Sequence, residues 1–118
     1  MNIIGKGGFV YIITNKNNTT LYTGVTSDLT SRLIQHKEKL YPNSFSAKYN
    51  LNKLVYYEAF ESITSAIERE KQIKAGSRAK KVKLIESQNP NWGNLGEEVF
   101  KVVAIHGLSI FLVGMLSQ

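Results

Sequence analysis

The sequence predicts an α+β domain: a small three-stranded antiparallel sheet flanked by helices, in the order β-β-α-β-α-α, with an apolar C-terminal segment after it. Three observations lead there. Two runs rich in β-branched and aromatic residues, FVYIIT at 9–14 and TTLYTGVT at 19–26, are separated by the turn-forming NKNN. A third such run, KLVYYEAF, occupies 53–60. Three further stretches read as helices, two of them behind a Ser or Asp able to cap them.

Taken in order, the first two runs read as a hairpin. With the turn centred on Lys16 and Asn17, Tyr11 and Tyr22 would stand opposite each other on one face. TSD at 26–28 offers an N-cap for a helix running to about Leu40. Leu29, Leu33 and Leu40 form its apolar stripe, and Arg32 and His36, one turn apart, share the face beside that stripe. YPNSFSAKYN at 41–50 is expected to be a loop. After the third strand, a helix from about Ile63 to Ala75 closes at Gly76, a favourable C′ residue. Ser77 then caps a last helix to about Ser87. The polar, glycine-containing NPNWGNLGEE at 89–98 reads as a linker, so a domain is expected over 1–98 and a tail, helical in character, over 99–118.

Composition narrows the function. A chain of 118 residues with 42% hydrophobic content builds one domain with a modest core. Its net charge of +6 favours a polyanionic partner, with nucleic acid the first candidate; the plainer alternative is a small basic protein with no such role. There is no cysteine, which excludes disulfides, thiolate catalysis and Cys-based zinc sites and agrees with a cytoplasmic location. The opening MNIIGKGGF is too short and too glycine-rich for a secretory h-region. VFKVVAIHGLSIFLVGML at 99–116 is strongly apolar, but a spanning helix needs about 20 apolar residues. This run is shorter and is interrupted by Lys101, His106 and two glycines. It reads as a core or partner-binding helix ahead of an interfacial or tail anchor. No glycine-rich loop precedes a helix, no close His or Cys cluster exists, and nothing orders Ser, His and Asp into a triad.

One charge is out of place. Helical spacing sets Glu70 on the stripe of Ile63, Ala66, Ile67 and Ile73, inside the most basic segment of the chain. An ionised carboxylate there costs several kcal/mol unless it is paired. Lys74 one turn on, Arg32 across the core, and a divalent cation are the available partners. Glu68, on a more exposed face, reads as solvated. The surrounding Arg69, Lys71, Lys74, Arg78, Lys80, Lys81 and Lys83 form either an electrostatic approach for a phosphate backbone or a merely solvated helix face.

The ordered set VYI, YTG eleven residues later from Tyr11 to Tyr22, VTSDLTSRLIQHK and AIEREKQIK resembles the GIY-YIG nuclease superfamily, in particular small single-domain proteins related to the N-terminal domain of UvrC-type excinucleases. The resemblance covers residues 9 to about 95. The name-giving triplets appear as Val-Tyr-Ile and Tyr-Thr-Gly, so only the tyrosines and the second glycine are retained. It implies a metal-dependent endonuclease acting on DNA, structure-selective and engaged in repair or processing; a nucleic-acid-binding module that keeps the fold without catalysis is the alternative. It implies that Glu70 holds a single Mg²⁺ or Mn²⁺, that Tyr11 activates or positions water, and that Tyr22 supports the site and the phosphate. It implies further that Arg32 binds the scissile phosphate and that His36 assists with phosphate or proton traffic. An asparagine near the end of the core is also common in that family, and Asn89, Asn91 and Asn94 all compete for the place. Read as plain residues, Tyr11 and Tyr22 are also ordinary strand aromatics, as Tyr56 and Tyr57 are taken to be. Arg32 is equally a surface helix residue, and His36 a packed one.

Overall fold

The computed structural model describes residues 7–100. Strands β1 (Gly8–Thr14), β2 (Leu21–Thr26) and β3 (Lys53–Phe60) form one antiparallel sheet in the order β2-β1-β3. Helices α1 (Leu29–Lys37), the single turn α2 (Phe45–Lys48), α3 (Ile63–Ala75) and α4 (Arg78–Gln88) accompany it, and residues 96–100 are helical at the end of the described chain. Because β1 is paired on both edges and covered on both faces, every one of its residues is buried. The expected sheet, strand types and helix order are all present.

The hairpin register differs from the expected one. Tyr11 pairs with Gly24, and Tyr22 pairs with Ile13. The cause is the Asn15 side chain, which templates a wider loop. Its Oδ1 accepts from the Thr19 and Thr20 amides at 2.8 and 3.4 Å, and its Nδ2 donates to Thr19 Oγ1 at 2.6 Å. Asn18 completes the loop at φ 58°, a left-handed conformation that asparagine tolerates. The slip is even, so Tyr11 and Tyr22 keep a common face but stand as diagonal neighbours.

On that face Phe9, Tyr11 and Ile13 pack against Leu29 and Leu33 of α1, with Leu51, Leu54 and Val99. On the other, Val10 and Ile12 meet Val55, Tyr56, Ala66 and Ile73 of α3, and Ile85 of α4. A bulge in β3 assigns its residues to these two sides: Ile12 pairs with Tyr56 but Ile13 with Leu54. Gly8 allows α3 to close on β1, since a Cβ there would lie 2.7 Å from that of Ala66.

Three local expectations are corrected. α1 ends at Lys37, and Lys39 turns the chain at φ 52°, so Leu40 leaves the apolar stripe and is 58% exposed. The 41–50 loop contains α2, capped by Ser44, whose Oγ accepts from the Ala47 amide; four residues are too few for a periodic signal. Gly76 closes α3 at φ −80° and ψ 161°, an extended exit and not a left-handed one. Lys81 Nζ caps that end instead, donating to the Gly76 carbonyl at 2.6 Å. Of the apolar tail, Val99 and Phe100 are described and pack on the α1 side of the sheet. Residues 96–100 are helical, so the helix expected from 99 begins within the stretch read as a linker, and the rest of it lies outside the described residues.

Candidate active site

The site begins in the middle of the sheet. The Tyr11 side chain lies across Gly24, where a Cβ would come within 2.4 Å of the phenolic ring. With no side chain at 24, the phenol runs over β2 toward the sheet edge. Its hydroxyl meets His36 Nε2 at 2.9 Å. His36 reaches that point from the last turn of α1, held there by the Asp28 cap and by Leu29 and Leu33, which seat the helix on the sheet. The Tyr22 ring stands 6.4 Å from that of Tyr11 and 6.1 Å from the imidazole, centroid to centroid. Arg32, one turn before His36, lines a cleft of about 160 Å³ with Tyr22, His36, Tyr41, Phe45 and Ser46.

Helix α3 supplies the acid. Glu70 lies on the same face of α3 as Ala66 and Ile73, which are buried, whereas the expected stripe partners Ile63 and Ile67 are 37% and 38% exposed. The carboxylate therefore sits at the rim of the apolar stripe and not beneath it. Its side chain retains 15% exposure and takes an ion pair from Lys74 Nζ at 3.3 Å. The same ammonium lies 6.0 Å from the Tyr22 ring centroid, which brings the acid to the tyrosine cluster.

The electrostatics follow from that geometry. Burial, followed by the neighbouring Tyr22, pushes the Tyr11 phenol well above its ordinary range; Arg32 pulls the other way and Glu70 adds to the rise. Tyr22, Arg32 and Glu70 thus act on one hydroxyl, and His36 meets it directly. Burial outweighs the cationic neighbour, so Tyr11 is a neutral phenol in the resting protein. His36 is lowered to about 4, first by burial and then by Arg32, so its ring is uncharged at neutral pH.

The basic run disperses. Arg69 Nε donates to Glu58 Oε2 at 3.1 Å, and that oxygen also takes the Tyr56 hydroxyl at 2.6 Å. Arg78 ties α4 to the hairpin by donating to the carbonyls of Asn18 and Thr19. Lys81 caps α3 and Lys74 pairs with Glu70. Lys71, Lys80 and Lys83 remain exposed, as does Glu68. Of the asparagines, Asn89 is buried and donates to Val55 and Gly93 carbonyls, and Asn94 accepts from the Leu54 and Gly96 amides. Both organise the chain after α4, while Asn91 is exposed.

Sequence reasoning missed Ser46, which is buried with Oγ 2.7 Å from His36 Nδ1. Its only signal was a serine just inside a short capped turn, which periodicity does not detect.

Two phenols, an imidazole, a guanidinium and a carboxylate thus gather at one edge of a three-stranded α+β sheet. The family model described as the GIY-YIG catalytic domain matches residues 7–83, and the chain belongs to that family. A UPF0213 protein of Syntrophus aciditrophicus is 39% identical over 82 residues, spanning 70% of this chain and 92% of that relative. A UPF0213 protein of Clostridium perfringens is 37% identical over 95 residues, or 77% of this chain and 96% of the relative. A solution structure of a UPF0213 protein from Bacillus halodurans is 28% identical, with a TM-score of 0.49, covering 75% of this chain and 92% of that one. Those names assign no reaction.

Proposed function

We propose that this protein is a metal-dependent endonuclease that hydrolyses DNA phosphodiester bonds, selecting structure over sequence, in cytoplasmic DNA repair or processing. The observation that carries this reading is the 2.9 Å contact of the Tyr11 hydroxyl with a neutral His36, in a cluster shared with Arg32 and Glu70.

Phosphodiester hydrolysis needs a positioned water and an answer to the negative charge that develops on the phosphoryl and leaving oxygens. Tyr11 holds the water and passes its own proton to His36 Nε2 as it receives one from the water. The new phosphorus–oxygen bond forms as the bond to the leaving oxygen breaks. Arg32 takes two phosphate oxygens through its planar fork. Tyr22 closes the other side. Lys71, Lys80 and Lys83, which are exposed, draw in the backbone.

The residues fit a hard cation of limited protein ligation. Among the described residues no group of three or more His, Cys, Asp or Glu gathers as a cage. Mg²⁺ needs none, since one carboxylate with waters and substrate phosphate suffices. Glu70 is that carboxylate. A bound Mg²⁺ or Mn²⁺ would polarise the phosphoryl oxygen and stabilise the leaving one.

A second reading, a nucleic-acid-binding module without catalysis, is favoured by one feature: Lys74 already satisfies Glu70. A plasmid-nicking assay with Mg²⁺ or Mn²⁺ decides between them. Divalent-dependent nicking that disappears in Glu70→Ala supports the enzyme. Salt-dependent binding without cleavage under either cation supports the module. A protein or membrane partner for the tail is tested by fractionating the full chain against one ending at Phe100, because Val99 belongs to the core. Among the described residues, no helix is long and apolar enough to cross a membrane.

A further inference from the structure

His36 has two ring nitrogens, and which one carries the proton decides what it can do for Tyr11. Both are engaged: Nε2 with the Tyr11 hydroxyl at 2.9 Å, and Nδ1 with Ser46 Oγ at 2.7 Å. Ser46 is itself 5% exposed, and its Oγ lies 3.2 Å from that of Ser44, the residue that caps α2. The series runs from the helix cap through two hydroxyls and the imidazole to the phenol.

Two polarities satisfy such a series on paper, and the surroundings choose between them. Tyr11 is fully buried, so its hydroxyl hydrogen needs an acceptor, and a bare His36 Nε2 is the one within reach. A neutral imidazole that accepts at Nε2 carries its proton on Nδ1. Nδ1–H then requires an acceptor, and the Ser46 oxygen is in place. The Ser46 hydroxyl hydrogen turns to Ser44 Oγ, which already accepts the Ala47 amide and has a second lone pair.

We propose that Ser46 is a positioning residue that holds His36 in the Nδ1–H tautomer, leaving Nε2 bare to take the Tyr11 proton. The proposal rests on the nuclease reading for its consequence in turnover, but the tautomer itself is independent of any reaction. The serine acts through the histidine and touches no substrate. Helix α2 carries it: Ser44 caps the turn, and the turn places the Ser46 hydroxyl at Nδ1 of the imidazole.

The test is nitrogen-15 NMR of the imidazoles in the full chain, with His36 assigned against a His36→Gln spectrum. The expected wild-type signature is a protonated Nδ1 and an unprotonated Nε2 at pH 7. Ser46→Ala should move His36 toward the Nε2–H form and lower kcat about tenfold, with KM for DNA unchanged. Ser46→Thr, which keeps the hydroxyl, should restore both readouts. A wild-type His36 protonated at Nε2 overturns the proposal, and that measurement needs no variant to fold. So does Ser46→Ala with an unchanged tautomer. The predicted tautomer in a protein that cuts no DNA under any divalent cation leaves the serine's role standing and removes the nuclease reading instead.

Discussion

The ring of Tyr11 occupies the space where residue 24 would carry its Cβ, with a 2.4 Å approach that only glycine permits. Tyr11 and Gly24 are cross-strand partners, so this is a direct property of the hairpin register. The glycine is what lets a central-strand tyrosine reach the sheet edge.

Gly24→Ala should therefore damage the site more than the fold. The phenol has nowhere to retreat, because Tyr11 is fully buried. Overpacking of this kind costs about 1–3 kcal/mol, read as a lower Tm. A misplacement of about 1 Å at the reacting groups lowers the rate about 100-fold, read by plasmid nicking. Wild-type rates in a folded variant would refute the positioning role of the glycine.

A divalent cation held as proposed would compete with Lys74 for the Glu70 carboxylate. An ion pair as exposed as this one is worth about 0.2–1 kcal/mol, and Lys74 is half exposed. Removing the ammonium in Lys74→Met should tighten Mn²⁺ binding by up to about fivefold by calorimetry, since 1.4 kcal/mol is a factor of ten. Glu70→Gln should abolish the same binding. Weaker binding in Lys74→Met would mean that the lysine assists the cation and does not displace it.

Acid acts through His36. Its folded-state value is depressed from 6.5 to about 4, so between those limits the unfolded chain binds the extra proton and the folded one does not. Stability is complete above about pH 6.5, declines as pH falls toward 4, and is flat in this term below that. For a half-buried ring the loss is about 1 kcal/mol after solvent screening. The slope should vanish from the acid limb of a denaturant titration in His36→Gln. The cleavage rate should hold from neutrality to about pH 5 as far as this group governs it.

The basic residues divide by occupation. Alanine at Lys71, Lys80 and Lys83 together should lower the slope of log K against log salt by up to about 2.7 for duplex DNA, with Tm unchanged. Arg78→Ala should lower Tm, because it strands two hairpin carbonyls, with little change in that slope. A reversed pattern in filter-binding and melting data would show that Arg78 faces the nucleic acid.

Much of the architecture was legible in the chain. Alternation and β-branching marked the three strands, and β3 and α3 begin and end where read. Ser77 was visible as a cap because capping is a local interaction between a side chain and the next amides. The hairpin register was not legible, since it depends on how Asn15 folds its loop. Leu40 misled because its spacing continues a helix that Lys39 ends.

The site divides in the same way. Residue type and order along the chain named Tyr11, Tyr22, Arg32, His36 and Glu70 and set the family. Only the tertiary structure decided how they meet: Tyr11 crosses Gly24, His36 rests on Ser46, and Glu70 takes Lys74. It also decided which cations stay free, tying Arg69 to Glu58 and Arg78 to the hairpin. The physical reason is range. Pattern and capping act over one or two turns and leave their mark in sequence spacing, whereas the burial that sets the Tyr11 and His36 protonation states comes from residues far apart in the chain.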